Sequence, residues 1–278
     1  MDRGGCQMNG GGGGGGGGDG GPDRSGMISL EDLESFSEDQ LSDSGNGSLE
    51  EGETMEEDEG SDRLLHYWQD VARGHQVEVS NEMAEPIQQL TSNNNGRSNR
   101  EHIPFTLLSQ KEKCGELLYD KRHYEKGHWA CITMREDTYE QSICYGFMRI
   151  MRYICKQNSL GDYLGMSLPI LTVVHTDENH SAISQEVTVA YYLPAEHQAQ
   201  PPQPQDSEIV IEVWPAAIVY TRPFTGPTNE LTIINQINGM AELLESPGVC
   251  VNDSFIVAGY TNPAHSHRHN EIWFLERH

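Results

Sequence analysis

Residues 115–193 and residues 207–276 carry the same order of elements: strand, strand, amphipathic helix, strand, strand. In the first copy the alternation of apolar and polar residues places strands at Glu116–Tyr124, Trp129–Met134, Met166–His175 and Gln185–Leu193, with a helix near Glu140–Gln157. In the second the strands fall at Glu208–Val213, Ile218–Pro223, Ser254–Tyr260 and Glu271–Glu276, with a helix near Thr228–Glu245. One such ββαββ unit cannot bury its sheet face alone, so two copies are expected to pack around a single core. The copies differ in charge. The first helix carries Arg149, Arg152 and Lys156, whereas no Lys, Arg or His lies between Pro223 and Asn252. An anionic ligand is therefore expected on the first copy.

Charge is also uneven along the chain. Residues 1–62 hold 17 Asp and Glu against Arg3 and Arg24, a net of −15 out of the chain's −25. This stretch opens with the glycine run Gly10–Gly18 and has almost no aromatic residues, so it cannot bury enough apolar surface to offset its ordering entropy. Residues 1–62 are expected to form a disordered acidic tail. Residues 63–101, with Leu64, Leu65, Trp68 and Val71 at helical spacing, are expected to form a helical extension docked on the core, and residues 102–278 the core itself. The acidic balance argues against nucleic acid or an anionic membrane as a partner. No run approaches the ~20 apolar residues of a membrane helix. The N-terminus has no leader pattern, and the six cysteines form no CxxC pair. Reduced thiols in a cytoplasmic protein are the expectation.

Two tail motifs suggest a protein partner. Ser29-Leu30-Glu31-Asp32 matches a capping box and precedes Leu33, Phe36 and Leu41, which fits either a short helix formed on a partner or a solvated tail. Asp43–Ser48 has the Asp-Ser-Gly-x-x-Ser pattern of a phosphorylation-dependent degradation signal, where two phosphates would make a dense anionic epitope. Between the copies, Pro201, Pro202 and Pro204 form a stiff connector.

Candidate chemistry concentrates on the first helix. At ~100° per residue, Ile143, Phe147, Ile150 and Ile154 form one stripe. Beside it lie Cys144, Met148, Met151 and Cys155, all sulfur-bearing, and Arg152 borders them. A soft apolar ledge beside guanidinium groups suits a flat hydrophobic ligand with carboxylates at one edge. The alternative is a wide buried face with a solvated basic rim. The segment His265-Ser-His267-Arg-His269 fits either a divalent metal or a solvated loop. The sequence contains no HExxH, GxSxG, CxxCH or P-loop, and offers no paired nucleophile and base, so catalysis is not expected.

Several blocks resemble the SOUL family of haem-binding proteins. They are Gly146-Phe147-Met148-Arg149 with Tyr153-Ile154, Met166-Ser167-Leu168-Pro169-Ile170, Tyr192-Leu193-Pro194, Gly259-Tyr260 with Pro263, and Asn270-Glu271-Ile272-Trp273. The resemblance spans about residues 115–276. It implies an α+β fold, a distorted antiparallel β-barrel flanked by two helices. It also implies non-covalent binding of haem or protoporphyrin without catalysis, in a carrier, buffer or sensor. The implied pocket lies along the first long helix, at Cys144, Phe147, Met148, Met151 and Arg152, with His265 in the last loop. Where the family has an arginine one turn earlier in the helix, this chain has Cys144. The triplet Arg122-His123-Tyr124 resembles one whose histidine is the proposed iron ligand, which makes His123 the candidate metal residue. The competing reading is a protein-interaction module, with the barrel as platform and the tail carrying partner motifs.

Overall fold

The computed structural model describes residues 65–66, 68–70, 72–74, 76–94, 101–244, 249–260 and 269–277. The acidic tail with its two motifs, and His265, lie outside the described residues. The strands are β1 (Glu101–His102), β2 (Phe105–Lys113), β3 (Glu116–Tyr124), β4 (Gly127–Arg135), β5 (Ser167–Leu168), β6 (Ile170–Thr176), β7 (Ile183–Tyr192), β8 (Val210–Trp214), β9 (Ala217–Thr225), β10 (Cys250–Tyr260) and β11 (His269–Glu276). Among the described residues the helices include α1 (Ala84–Asn94), α2 (Tyr139–Cys155), α3 (Ala195–Gln198) and α4 (Glu230–Leu243); a 3-10 turn, Asn81–Met83, leads into α1, and helical residues also occur within 65–74.

Nine strands form one antiparallel sheet in the order β2-β3-β9-β11-β10-β6-β7-β4-β8, and β1 and β5 make a separate parallel pair. Leaving β2 aside, the order reads the same from both ends once the segments 115–193 and 207–276 are exchanged: β3-β9-β11-β10 answers β8-β4-β7-β6. The expected barrel is not closed. The sheet curls into a half-barrel whose outer strands, β2 and β8, each have one neighbour. Strand β2 is exposed along its whole length, and β8 is only five residues long, so neither presents a buried face that closure could complete.

Two differences from the sequence reading have local causes. The alternation test passes over β2 because a bulge between Leu107 and Ser109 sets Leu107 and Leu108 side by side, and neither is buried. The expected strand Met166–His175 is split at Pro169, which has no N–H to give to the ladder; β5 pairs with β1, and β6 joins the main sheet.

The helices start where side chains satisfy their first N–H groups. Thr138 accepts from the backbone N–H of Gln141 at the start of α2. At the start of α4, Asn229 and Thr232 form a reciprocal capping box. Both helices contribute to one apolar core on one side of the sheet, through Ile143, Ile150 and Ile154 of α2 and Ile233, Ile237 and Met240 of α4. Gly146 lets α2 approach the sheet closely. A Cβ there would sit 2.8 Å from Val189 Cγ2 on β7 and 3.1 Å from Met134 Cγ on β4. The C-terminal end of α2 is tied down by buried Asn158, whose amide donates to the carbonyls of Tyr153 and Asp162, and by Tyr153 Oη, which donates to the Pro202 carbonyl. The proline segment is thus packed against the helix.

Gly146→Ala is expected to destabilise the fold by about 1–3 kcal/mol, the usual cost of overpacking. Chemical denaturation measures this, and an unchanged midpoint would mean that α2 does not sit this close to β4 and β7.

Candidate functional site

Helix α2 is covered on two opposite sides. Gly146, Ile150 and Tyr153 mark the side toward β4 and β7. The sulfur ledge lies across the helix from them, and it too is buried: Cys144 and Cys155 are 1 % exposed and Met151 is fully buried. Its cover is the chain's own preceding segment. Leu65, Trp68, Ala72, Val77, Val79, Met83 and Ile87 join the same apolar core. The Trp68 ring stacks near Phe147, with centroids 6.4 Å apart and planes 15° from parallel. The backbone N–H of Glu78 donates to Tyr145 Oη at 3.2 Å, and the Cys155 thiol lies 3.6 Å from the Pro86 carbonyl oxygen.

The three cations of the basic rim each meet a carboxylate, in four ion pairs. Arg149 donates to both carboxylate oxygens of Asp206, at 2.6 and 2.7 Å, and also pairs with Glu208. Lys156 Nζ meets Glu85 Oε1 at 2.8 Å, and Arg152 Nη1 lies 3.7 Å from Glu82 Oε2. Arg152 is the least satisfied of the three. Its Nε is buried and meets no hydrogen-bond acceptor among the described residues. A buried guanidinium N–H left unmatched costs free energy, and a carboxylate is the group that would match it. Cys155 is a weak candidate for thiolate chemistry, because burial pushes its thiol up to about 12 and keeps it protonated.

The structure gathers Cys144, Phe147, Met148, Met151 and Arg152 on one helix but does not bring His123 to them. His123 is on β3, five strand spacings along the sheet from β7, with Nδ1 3.4 Å from Glu125 Oε1. Its neighbour Arg122 points to the other side of the sheet. There Arg122 donates to Glu271 at 2.9 and 3.0 Å and to Asp120 at 2.8 Å, while Tyr260 Oη and Trp273 Nε1 donate to the same Glu271. Carboxylate contacts outweigh burial and raise the Arg122 pKa further, so this group stays charged. The sequence reading missed Arg122; the alternation Asp120, Arg122, Tyr124 was the available signal. It also missed Glu82 and Glu85, for which no local pattern exists.

Among the described residues no three His, Cys, Asp or Glu side chains are placed to hold a metal ion. None of the helices among them is long and apolar enough to cross a membrane.

Pairing with Arg149 holds the Asp206 carboxyl below its ordinary value. The stability from this pair is present above the unfolded pKa of about 3.9 and is lost as pH falls through the depressed folded value. The stability difference between wild type and Asp206→Asn, followed by urea denaturation, should therefore be largest above pH ~4 and shrink below it. A difference independent of pH would contradict the pairing.

Comparison with known proteins finds relatives of this chain. The family model described as SOUL heme-binding protein matches residues 100–275. Heme-binding protein 1 of Sus scrofa is 27 % identical over 174 residues, covering 62 % of this chain and 91 % of the relative. Heme-binding protein 2 of Mus musculus is 27 % identical over 161 residues, covering 57 % of this chain and 78 % of the relative. Among solved structures, the EcmrR C-terminal domain aligns with a TM-score of 0.41 and 12 % identity, over 58 % of this chain and 97 % of that one.

Proposed function

Because the chain belongs to the SOUL heme-binding protein family, we propose that it binds a tetrapyrrole, haem or protoporphyrin, non-covalently. It works as a cytoplasmic carrier, buffer or sensor and not as an enzyme. The ligand lies along α2, against Cys144, Phe147, Met148 and Met151, with a propionate on Arg152; the family resemblance adds His265 as a candidate contact. The observation that carries this reading is the buried Arg152 Nε, a donor with no acceptor among the described residues, beside a polarizable apolar ledge. The apolar ledge fits the macrocycle face, and the guanidinium fits its acidic edge. Bound haem would supply an iron centre; the residues of α2 supply apolar contact and charge pairing. His123, on β3, is the candidate axial ligand of an alternative placement; in the α2 placement apolar contact and charge pairing hold the ring. The mirrored strand order supports reading the two halves of the core as copies of one unit. The acidic tail remains the segment suited to a protein partner.

Titration of the full chain with haemin should saturate at one equivalent. Arg152→Gln should weaken binding by about 1–3 kcal/mol. His123→Ala should leave the Soret band unchanged. Equal affinity in Arg152→Gln, with the fold intact by circular dichroism, removes α2 from the site. A Soret shift in His123→Ala moves it to β3.

A further inference from the structure

The segment that covers α2 has the chemistry of the ligand proposed for it. It presents apolar bulk, Trp68, Met83 and Ile87, to the ledge, and two carboxylates, Glu82 and Glu85, to Arg152 and Lys156. We infer that residues 65–94 are a built-in competitor, occupying the α2 face in the absence of a tetrapyrrole and leaving it when one binds. The inference rests on the tetrapyrrole reading above and adds to it how access to the site is regulated.

Three features make the contact displaceable. First, its ion pairs are exposed and weakly held. The Glu82 and Glu85 side chains are 77 % and 66 % exposed, and the Arg152–Glu82 pair is long at 3.7 Å, with Arg152 Nε left over. Exposed pairs of this kind contribute little, so exchanging them for propionates on the same cations is close to neutral. Second, Trp68 Nε1 is also buried without a hydrogen-bond partner among the described residues, a cost relieved when the segment lifts off. Third, the seam is already open at one end. A cavity of about 330 Å³ lies between α1 and the end of α2, lined by Glu85, Gln88, Cys155, Lys156, Asp162 and Tyr163. The edge of a flat ligand can enter there before the rest of the cover moves.

A competitor makes a quantitative demand. When only a fraction of molecules has the face uncovered, the apparent affinity falls by that fraction. Loosening the cover must therefore tighten ligand binding, whereas a segment that forms part of the pocket wall must weaken it when trimmed.

The test uses the full chain and protoporphyrin IX, followed by its fluorescence, in wild type, Trp68→Ala and the double variant Glu82→Gln with Glu85→Gln. Alkylation of Cys155 by N-ethylmaleimide, located by mass spectrometry without ligand, reports uncovering directly. The expected result is binding tightened about tenfold in Trp68→Ala and about twofold in the glutamine pair, whose exposed ion pairs each contribute little, with faster Cys155 alkylation in each. Should Trp68→Ala fail to fold, the glutamine pair, which alters only exposed side chains, decides alone. Binding to wild type that is unchanged or weakened in the variants, with Cys155 alkylation unchanged, overturns the competitor and leaves the tetrapyrrole reading standing. No binding by any of the three proteins, with alkylation accelerated in the variants, overturns the tetrapyrrole reading and the competitor with it.

Discussion

Helix α2 is packed on two opposite sides, and most of the molecule's organisation follows from that constraint. A helix buried against a sheet on one face and against another segment on the other has only a narrow strip left for charge. Arg149, Arg152 and Lys156 occupy that strip, and each meets a carboxylate from outside the helix. Gly146 sets how closely α2 approaches β4 and β7, and the Asn158 turn and the proline segment hold its C-terminal end. The sulfur side chains face the other way, where soft, unbranched groups can pack against whatever covers them. That tolerance suits a surface with two successive occupants, the chain's own segment and a ligand.

The far face of the sheet carries a buried charge network. Arg122 lies between Asp120 and Glu271, and Glu271 also accepts from Tyr260 and Trp273. A buried charge with this many partners is satisfied, and breaking such a set is costly. Tyr124 stacks on Trp273 with centroids 4.8 Å apart, and Trp129 on Trp214 at 4.6 Å. The unmatched guanidinium N–H of Arg152 lies on the helix side instead.

Much of the core was legible because it depends on short-range pattern. Alternation located β3, β4, β7, β9 and β11 to within a few residues, and helical spacing located α2 and α4. Strand β2 was not legible, since its bulge breaks the alternation and no burial enforces one. The sheet edges were not legible either, because alternation says which face is apolar but not whether the last strands meet. At the candidate site, the pattern marked Cys144, Met148, Met151 and Cys155 as an apolar face, and they are buried; it also marked Trp68 as apolar at helical spacing. It could not say that the two meet. That contact joins residues far apart in the chain, as in the Glu78–Tyr145 hydrogen bond, and no periodicity records it. His123 shows a further limit: a three-residue match carries no information about which helix the strand lies under.

The most direct measurement is hydrogen exchange of the full chain, read by mass spectrometry with and without protoporphyrin. The account predicts that the ligand slows exchange in α2 and speeds it in residues 76–94, because one occupant of the helix face replaces the other. Slowed exchange in β3 and β11, with residues 76–94 and α2 unchanged, would place the ligand elsewhere and contradict the account.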